Sequence, residues 1–106
     1  MTKFILSNIA DGDLADIFEY GVLNFGIDQA TRYLLEINDK FQFIADNKEL
    51  GRPAEEISKG LKRAIHNTHV IFYKEMEGSI LIVRVLRREM DFMRHCFDLK
   101  FTKLNV

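Results

Sequence analysis

The chain has 106 residues, a mass of 12.4 kDa and a formal net charge of −1, with 47% hydrophobic and 29% charged residues. This composition is typical of one soluble domain with a single core and excludes a disordered chain. The longest apolar runs are four residues long, at 70–73 and 80–83, which excludes a membrane helix of about 20 residues. The apolar block near the N-terminus is too short for a signal peptide. Because the single Cys96 has no partner for a disulfide, we expect a cytoplasmic protein.

The first half of the chain is predicted to form a strand and a helical hairpin. Residues 3–6 are apolar and compatible with a strand, and Ser7 or Asn8 can cap the helix that follows. Apolar residues then recur at spacings of three and four as far as Gly26, which predicts an amphipathic helix that ends there. A second helix, capped by Asp28, is predicted to end near residue 45. The connection is so short that the two helices must pack antiparallel.

The second half is predicted to form a meander of three strands after a loop at 46–58. Residues 61–66, 68–75 and 80–87 have the alternation and the β-branched content of strands. Tight turns connect them, and neighbouring hairpins pair antiparallel. The expected fold class is therefore α+β with two layers, in the order β-α-α-β-β-β, with a helical hairpin packed on an antiparallel sheet.

Several segments, in this order, resemble the ParE family of the RelE/ParE superfamily, whose members are toxins of toxin–antitoxin systems. The matching residues are Asp13-Leu14-Ala15-Asp16-Ile17 with Tyr20, Phe25-Gly26 with Gln29-Ala30 and Tyr33, Phe43-Ile44-Ala45-Asp46-Asn47, Leu50-Gly51-Arg52, His69-Val70-Ile71-Phe72-Tyr73, and Ile82-Val83-Arg84-Val85-Leu86 with Met90-Asp91. The resemblance covers residues 4–92 and departs at Arg87, where the family usually has His. It implies a toxin domain at 1–92 and a C-terminal extension at 93–106.

The resemblance implies a small cytoplasmic growth inhibitor that poisons DNA gyrase. It also implies neutralisation by a ParD-like antitoxin in a hetero-oligomer, with no enzymatic activity, cofactor or metal. Two alternatives stay open. One is a RelE-like ribosome-dependent mRNA endoribonuclease, and the other is a non-toxic paralogue that only sequesters antitoxin.

Basic residues in the second half are the candidates for contact with the target. Residues 1–49 contain four basic and nine acidic side chains, and residues 50–106 contain eleven basic and seven acidic ones. A basic surface of this kind can bind DNA, RNA or an acidic protein, or can simply be solvated. Four arginines are expected to contact the target: Arg63, Arg84, Arg87 and Arg88.

Arg84 stands out because it interrupts an apolar strand, where a charge is costly unless it is paired. We expect either an ion pair with a helix carboxylate such as Asp16 or Glu19, or contact with a partner. Strand alternation would place Arg84 and Arg87 on opposite faces of a regular strand. That separation disfavours the converging phosphate clamp, acid and base of a ribonuclease.

Two further residues of the meander are expected to have structural roles. His69 is expected to bind backbone at a hairpin end, and Tyr73 to lie at the edge of the core with a solvated hydroxyl.

Four apolar residues of the helices are candidates for antitoxin contact, since they cannot all fit one narrow stripe: Phe18, Val22, Phe41 and Phe43. An apolar margin of this kind suits an antitoxin tail that folds over it in a 1:1 complex. The tail of the chain itself has a period of two at 97–102, after a short helical pattern at 90–95. We expect this tail to extend a sheet edge.

Overall fold

Two helices pack on one face of a five-stranded sheet in the computed structural model, which describes residues 3–89. The elements are β1 (Lys3–Leu6), α1 (Asn8–Phe25), α2 (Ile27–Asp46), a 3-10 turn (Lys48–Leu50), β2 (Arg52–Pro53), β3 (Leu61–His66), β4 (His69–Met76) and β5 (Ser79–Arg87). The strand order across the sheet is β1-β5-β4-β3-β2. The predicted two-layer α+β fold is confirmed, and the two-residue β2 is an addition to it.

The sheet is mixed, which corrects the expectation of a purely antiparallel one. Strands β2 to β5 pair antiparallel, but β1 pairs parallel with β5, with Phe4 opposite Ile80. The expectation came from hairpins, which force antiparallel pairing only between the strands that they connect. Because β1 reaches the meander through α1 and α2, no hairpin turn sets its direction.

The helix boundaries lie close to the predicted ones, and the structure shows which residue caps each helix. Ser7, not Asn8, caps α1, because its Oγ accepts a hydrogen bond from the Ala10 N–H at 2.9 Å. Gly26, with a φ of 90°, separates the helices, a conformation that is unstrained only for glycine. Asp28 lies in the first turn of α2 and is not its cap, so the predicted cap was wrong.

Apolar side chains form a core on each face of the sheet. The helix-side core consists of Ala10, Ile37, Phe41, Ile44, Ala45, Ile71, Tyr73, Ile80, Ile82 and Val85. The opposite side of the sheet, called here the second face, carries Leu61, Val70, Phe72, Leu81, Val83 and Leu86, with Ala54 and Ile57 packed on it. The helices therefore cover the first face, and of their residues Ile9, in the first turn of α1, also packs against the second face.

Candidate functional site

A groove of about 980 Å³ lies between the helical hairpin and the sheet, at the ends of β4 and β5. Its helix side is lined by Ile17, Tyr20, Phe25 and Tyr33, and its sheet side by His69, Arg84, Val85 and Arg87. Tyr20 and Phe25 keep 52% and 57% of their surface exposed, and their rings are in edge-on contact. Exposed aromatic side chains in a concave surface are typical of a site for a protein partner.

A β-bulge in β5 determines which arginines reach this groove. Phe72 pairs with Arg84 while Tyr73 pairs with Ile82, so Val83 is the extra residue of β5. Ile82 and Val85 both belong to the helix-side core, so the bulge reverses the alternation between them. Arg84, within the bulge, pairs with Asp13 of α1, and Arg87, beyond the bulge, lines the same groove. The expectation that these arginines lie on opposite faces was wrong, because it assumed a regular strand.

Asp13 of α1 holds Arg84 at the wall of the groove. The Arg84 Nε and a terminal guanidinium nitrogen each donate to the Asp13 carboxylate at 2.9 Å, and the backbone N–H of Val85 donates to it at 2.9 Å. Only 14% of the Arg84 and 10% of the Asp13 side chain is exposed. An ion pair with a helix carboxylate was expected, but with Asp16 or Glu19. One carboxylate therefore neutralises a buried arginine and satisfies a backbone donor of β5.

The other three candidate arginines are more exposed and differ in position. The Arg87 guanidinium lies 5.8 Å from the centre of the Tyr20 ring, a cation–π distance, and its Nε is 3.2 Å from Glu89. Arg88 is exposed next to it. Arg63 lies on β3, where it is 3.2 Å from Glu56 and does not line the groove. The structure thus brings Arg84 and Arg87 together and leaves Arg63 apart.

Tyr33 and His69 form a polar contact across the groove. The Tyr33 hydroxyl and the His69 Nδ1 are 2.6 Å apart. Burial raises the pKa of Tyr33 and lowers the pKa of His69, which favours the neutral form of both side chains. The tautomer of the imidazole decides which of the two groups donates. The expected backbone contact of His69 was wrong, since a side chain 36 residues away binds its ring instead.

Tyr73 is a core residue whose hydroxyl organises the loop after α2. Its ring is fully buried, its hydroxyl donates to the Lys48 carbonyl at 2.7 Å, and it accepts from the Gly51 N–H at 2.9 Å. The expectation of a solvated hydroxyl was therefore wrong. Tyr73 serves the fold and takes no part in the groove.

The four apolar residues expected to contact an antitoxin do not form one surface. Phe41 is buried, 1% exposed, packs against Phe4, and lines a small pocket between the helices together with Phe18; contact of these residues with an antitoxin stays a prediction. Phe18 and Val22 are half-buried, and Phe43 is exposed beneath Lys40. The exposed apolar surface that the groove offers comes instead from Tyr20 and Phe25. The sequence pattern placed Phe25 on the buried stripe of α1, and its position in the last turn of the helix explains its exposure.

The family model that describes the ParE toxin of the type II toxin–antitoxin system parDE matches residues 4–92. The chain belongs to the ParE toxin family. It is 33% identical over 95 residues to Toxin ParE1 of Caulobacter vibrioides, an alignment that covers 90% of this chain and 98% of that protein. It is 34% identical over 95 residues to Toxin ParE1 of Mycobacterium tuberculosis, covering 89% and 97% respectively.

The fold of this ParE-family chain also matches a solved structure titled "Chromosomal ParDE TA system from P. aeruginosa". The TM-score is 0.72 at 22% identity, over 84% of this chain and 97% of that one. The family match begins at β1 and extends just past the described residues, so it includes every element that forms the groove. The division into a domain at 1–92 and an extension at 93–106 remains a prediction, and the predicted structure of the tail lies outside the described residues.

Neither a membrane-spanning helix nor a metal-binding cluster is found in residues 3–89. No helix there is both long and apolar enough to cross a membrane. Within the same residues, no group of three His, Cys, Asp or Glu side chains is placed to hold a metal ion.

Proposed function

We propose that this chain is a growth inhibitor that poisons DNA gyrase and is neutralised by a ParD-like antitoxin. Membership of the ParE toxin family supports the toxin role. The observation that carries the binding role is the open groove, whose aromatic side chains remain half exposed in the free chain. A toxin of this kind acts in the cytoplasm by binding its target through a stable surface, without catalysis.

The groove is the proposed binding site of the antitoxin. An amphipathic antitoxin segment can bury Tyr20 and Phe25 with its apolar side, while its polar side meets the charged rim formed by Arg87, Glu89 and Glu36. A bound segment would cover Arg87 and lie beside Arg88, which are proposed contacts of the target. Neutralisation then follows from competition for one surface.

The chemistry in the groove favours binding over RNA cleavage. His69, Tyr33 and two arginines line one groove, and the bulge in β5 removes the objection based on strand alternation. However, Tyr33 is hydrogen-bonded to His69 and Arg84 is neutralised by Asp13. A ribonuclease needs a free base, an acid and cations directed at a phosphate. These groups are directed at one another, so cleavage is the less favoured function.

A first experiment tests the antitoxin site with two matched substitutions on α1. Phe25→Ser removes an exposed aromatic ring that lines the groove, and Leu23→Ser removes an even more exposed side chain, 78% exposed, outside the groove lining. The partner in the titration is a ParD-like antitoxin, added to the purified chain. We expect at least a tenfold loss of affinity for Phe25→Ser and little change for Leu23→Ser. Equal effects of the two substitutions would contradict the proposed site.

A second experiment tests the target contacts in cells. Expression of the chain alone is expected to arrest growth, and co-expression of a ParD-like antitoxin to restore it. Arg87→Ala should weaken arrest more than antitoxin binding, because a single rim contact is a small part of a large antitoxin interface. Arg87→His should retain toxicity if Arg replaces the usual family His as a contact. Absence of arrest by the unmodified chain at a verified expression level would favour the sequestering paralogue.

A further inference from the structure

The turn between β3 and β4 carries two histidines that contact one tyrosine of α2. His66 and His69 are directly opposite each other in the strand register, on either side of the turn, so their side chains lie on the same face of the hairpin. The centre of the Tyr33 ring lies 5.6 Å from that of His66 and 5.5 Å from that of His69. These three side chains, called here the latch, connect α2 to the tip of the hairpin.

The latch forms part of the wall of the groove. The hydrogen bond between the Tyr33 hydroxyl and the His69 Nδ1, 2.6 Å long, lies at the end of the groove that is next to the turn. Asn67 and Thr68, the two residues of the turn, line the same end. Separation of Tyr33 from the two imidazoles would therefore move the tip of the hairpin away from α2 and widen the groove there.

The surroundings of His66 disfavour a charged imidazole. Its Nε2 atom is buried and has no hydrogen-bond partner among residues 3–89. Because a protonated imidazole carries a hydrogen on both nitrogens, the charged form would leave a buried donor unpaired, which is costly. Burial lowers the pKa of His66, the charge of Lys40 lowers it further, and the charge of Glu36 raises it.

The second imidazole of the latch is subject to the same constraint. Burial lowers the pKa of His69, Glu89 raises it, and His66 and Arg87 lower it further. Two imidazolium groups directly opposite each other on neighbouring strands would also repel. The closed latch therefore favours the neutral form of both rings.

We propose that the latch is sensitive to pH, so that protonation of His66 and His69 releases the tip of the β3–β4 hairpin from Tyr33 and opens that end of the groove. In the open form both imidazoles are in water, where they bind protons at about pH 6.5, whereas the closed form binds protons less readily. Opening therefore takes up protons, and the closed form loses stability as the pH falls through and below about 6.5. This inference does not depend on the proposed toxin activity.

The contact between His66 and Tyr33 also permits a response of the opposite sign. A cation is attracted to the face of an aromatic ring, so a protonated His66 that gained more from Tyr33 than it lost by burial would tighten the latch in acid. The unpaired Nε2 and the nearby charge of Lys40 both oppose the protonated ring and favour release. A pH titration separates the two responses.

The first test is an NMR titration of the full chain from about pH 8 to about pH 5, with His95→Gln so that the two latch histidines are the only imidazoles. We expect both rings to titrate with midpoints below 6.5, and the signals of the Tyr33 ring and the Asn67 amide to change at the same midpoints. The methyl signals of Ile80 in the helix-side core should stay unchanged, because the opening is local. Midpoints above 6.5, titration without a change at Tyr33, or a simultaneous loss of the Ile80 signals would each overturn the proposal.

The second test uses two matched substitutions on α2 that change the charge near His66 and leave the three latch side chains in place. Lys40→Gln removes the cation that disfavours the protonated ring, and Glu36→Gln removes the anion that favours it. We expect the midpoint of opening to rise by a few tenths of a pH unit in Lys40→Gln and to fall by a similar amount in Glu36→Gln. If neither substitution moves the midpoint, or if both move it in the same direction, protonation of His66 does not open the latch.

Discussion

Replacing Asp13 by asparagine tests the contact that joins α1 to the end of β5. The carboxylate accepts two hydrogen bonds from Arg84 and one from the backbone of Val85, all at 2.9 Å. The asparagine side chain has nearly the same shape but carries no charge and has one acceptor oxygen. The substitution therefore leaves the Arg84 guanidinium without its neutralising carboxylate, at a site where only 14% of the arginine side chain is exposed.

The expected cost follows from the burial of this pair. Removing one partner of a buried ion pair costs about 3–5 kcal/mol, and the remaining solvent contact of the Asp13–Arg84 pair favours the lower end of that range. For a domain of this size each kcal/mol lowers the melting temperature by about 4–8 °C. We therefore expect Asp13→Asn to lower it by about 12 °C or more, a large part of a total stability of roughly 5–15 kcal/mol.

The assay is thermal and urea unfolding followed by circular dichroism, with Asp16→Asn as the matched control. Asp16 is an exposed carboxylate of the same helix, and its substitution should have little effect on the melting temperature. The double variant Asp13→Leu with Arg84→Met should recover part of the loss, because an apolar pair leaves no buried charge but still leaves the Val85 N–H without its acceptor. A melting temperature for Asp13→Asn that matches the Asp16→Asn control would refute the reasoning.

Three further predictions concern the loop, the helix and pH. Gly51→Ala should destabilise the chain by about 2–4 kcal/mol, because its Cβ would overlap the Tyr73 hydroxyl and break that hydroxyl's buried contacts; unfolding near the parent midpoint would contradict this. Gly12→Ala should instead stabilise α1 by about 0.5–1 kcal/mol, since nothing lies within 4 Å of the Cβ that it adds. A lower free energy of unfolding in urea than that of the parent chain would contradict this prediction. Burial lowers the pKa of His69 below its unfolded value of 6.5, so the unfolded chain binds more protons and the free energy of unfolding should fall as pH decreases through and below 6.5. This dependence on pH should become weaker in His69→Gln, and an unchanged dependence in that variant would show that His69 is not its source.

The sequence was most informative where local patterns set the structure. The helix boundaries, Gly26 between the helices and the tight turn at Asn67 are decided by neighbouring residues, and the structure has them close to the predicted positions, with Asn67 at a φ of 53°. The direction of β1 depends on a partner strand more than 70 residues away. No local pattern contains that information, so the mixed sheet could not be predicted from hairpin rules.

The candidate site was less predictable, because one extra residue changes which side chains it contains. Val83 is a β-branched residue in an apolar strand, and nothing in its neighbourhood distinguishes a bulge from regular pairing. The bulge nevertheless brings Arg87 into the groove with Arg84. Likewise, the contact between Tyr33 and His69 joins residues from α2 and β4, so only the packed structure identifies them as neighbours.

The proposed poisoning of gyrase is tested most directly with the purified chain and purified gyrase on relaxed plasmid DNA. We expect loss of supercoiling or accumulation of cleaved DNA, reversed by a ParD-like antitoxin and weakened in Arg87→Ala. In parallel reactions with purified ribosomes, the mRNA should remain intact. Unaffected gyrase together with cleavage of ribosome-bound mRNA would contradict the account and establish the endoribonuclease alternative.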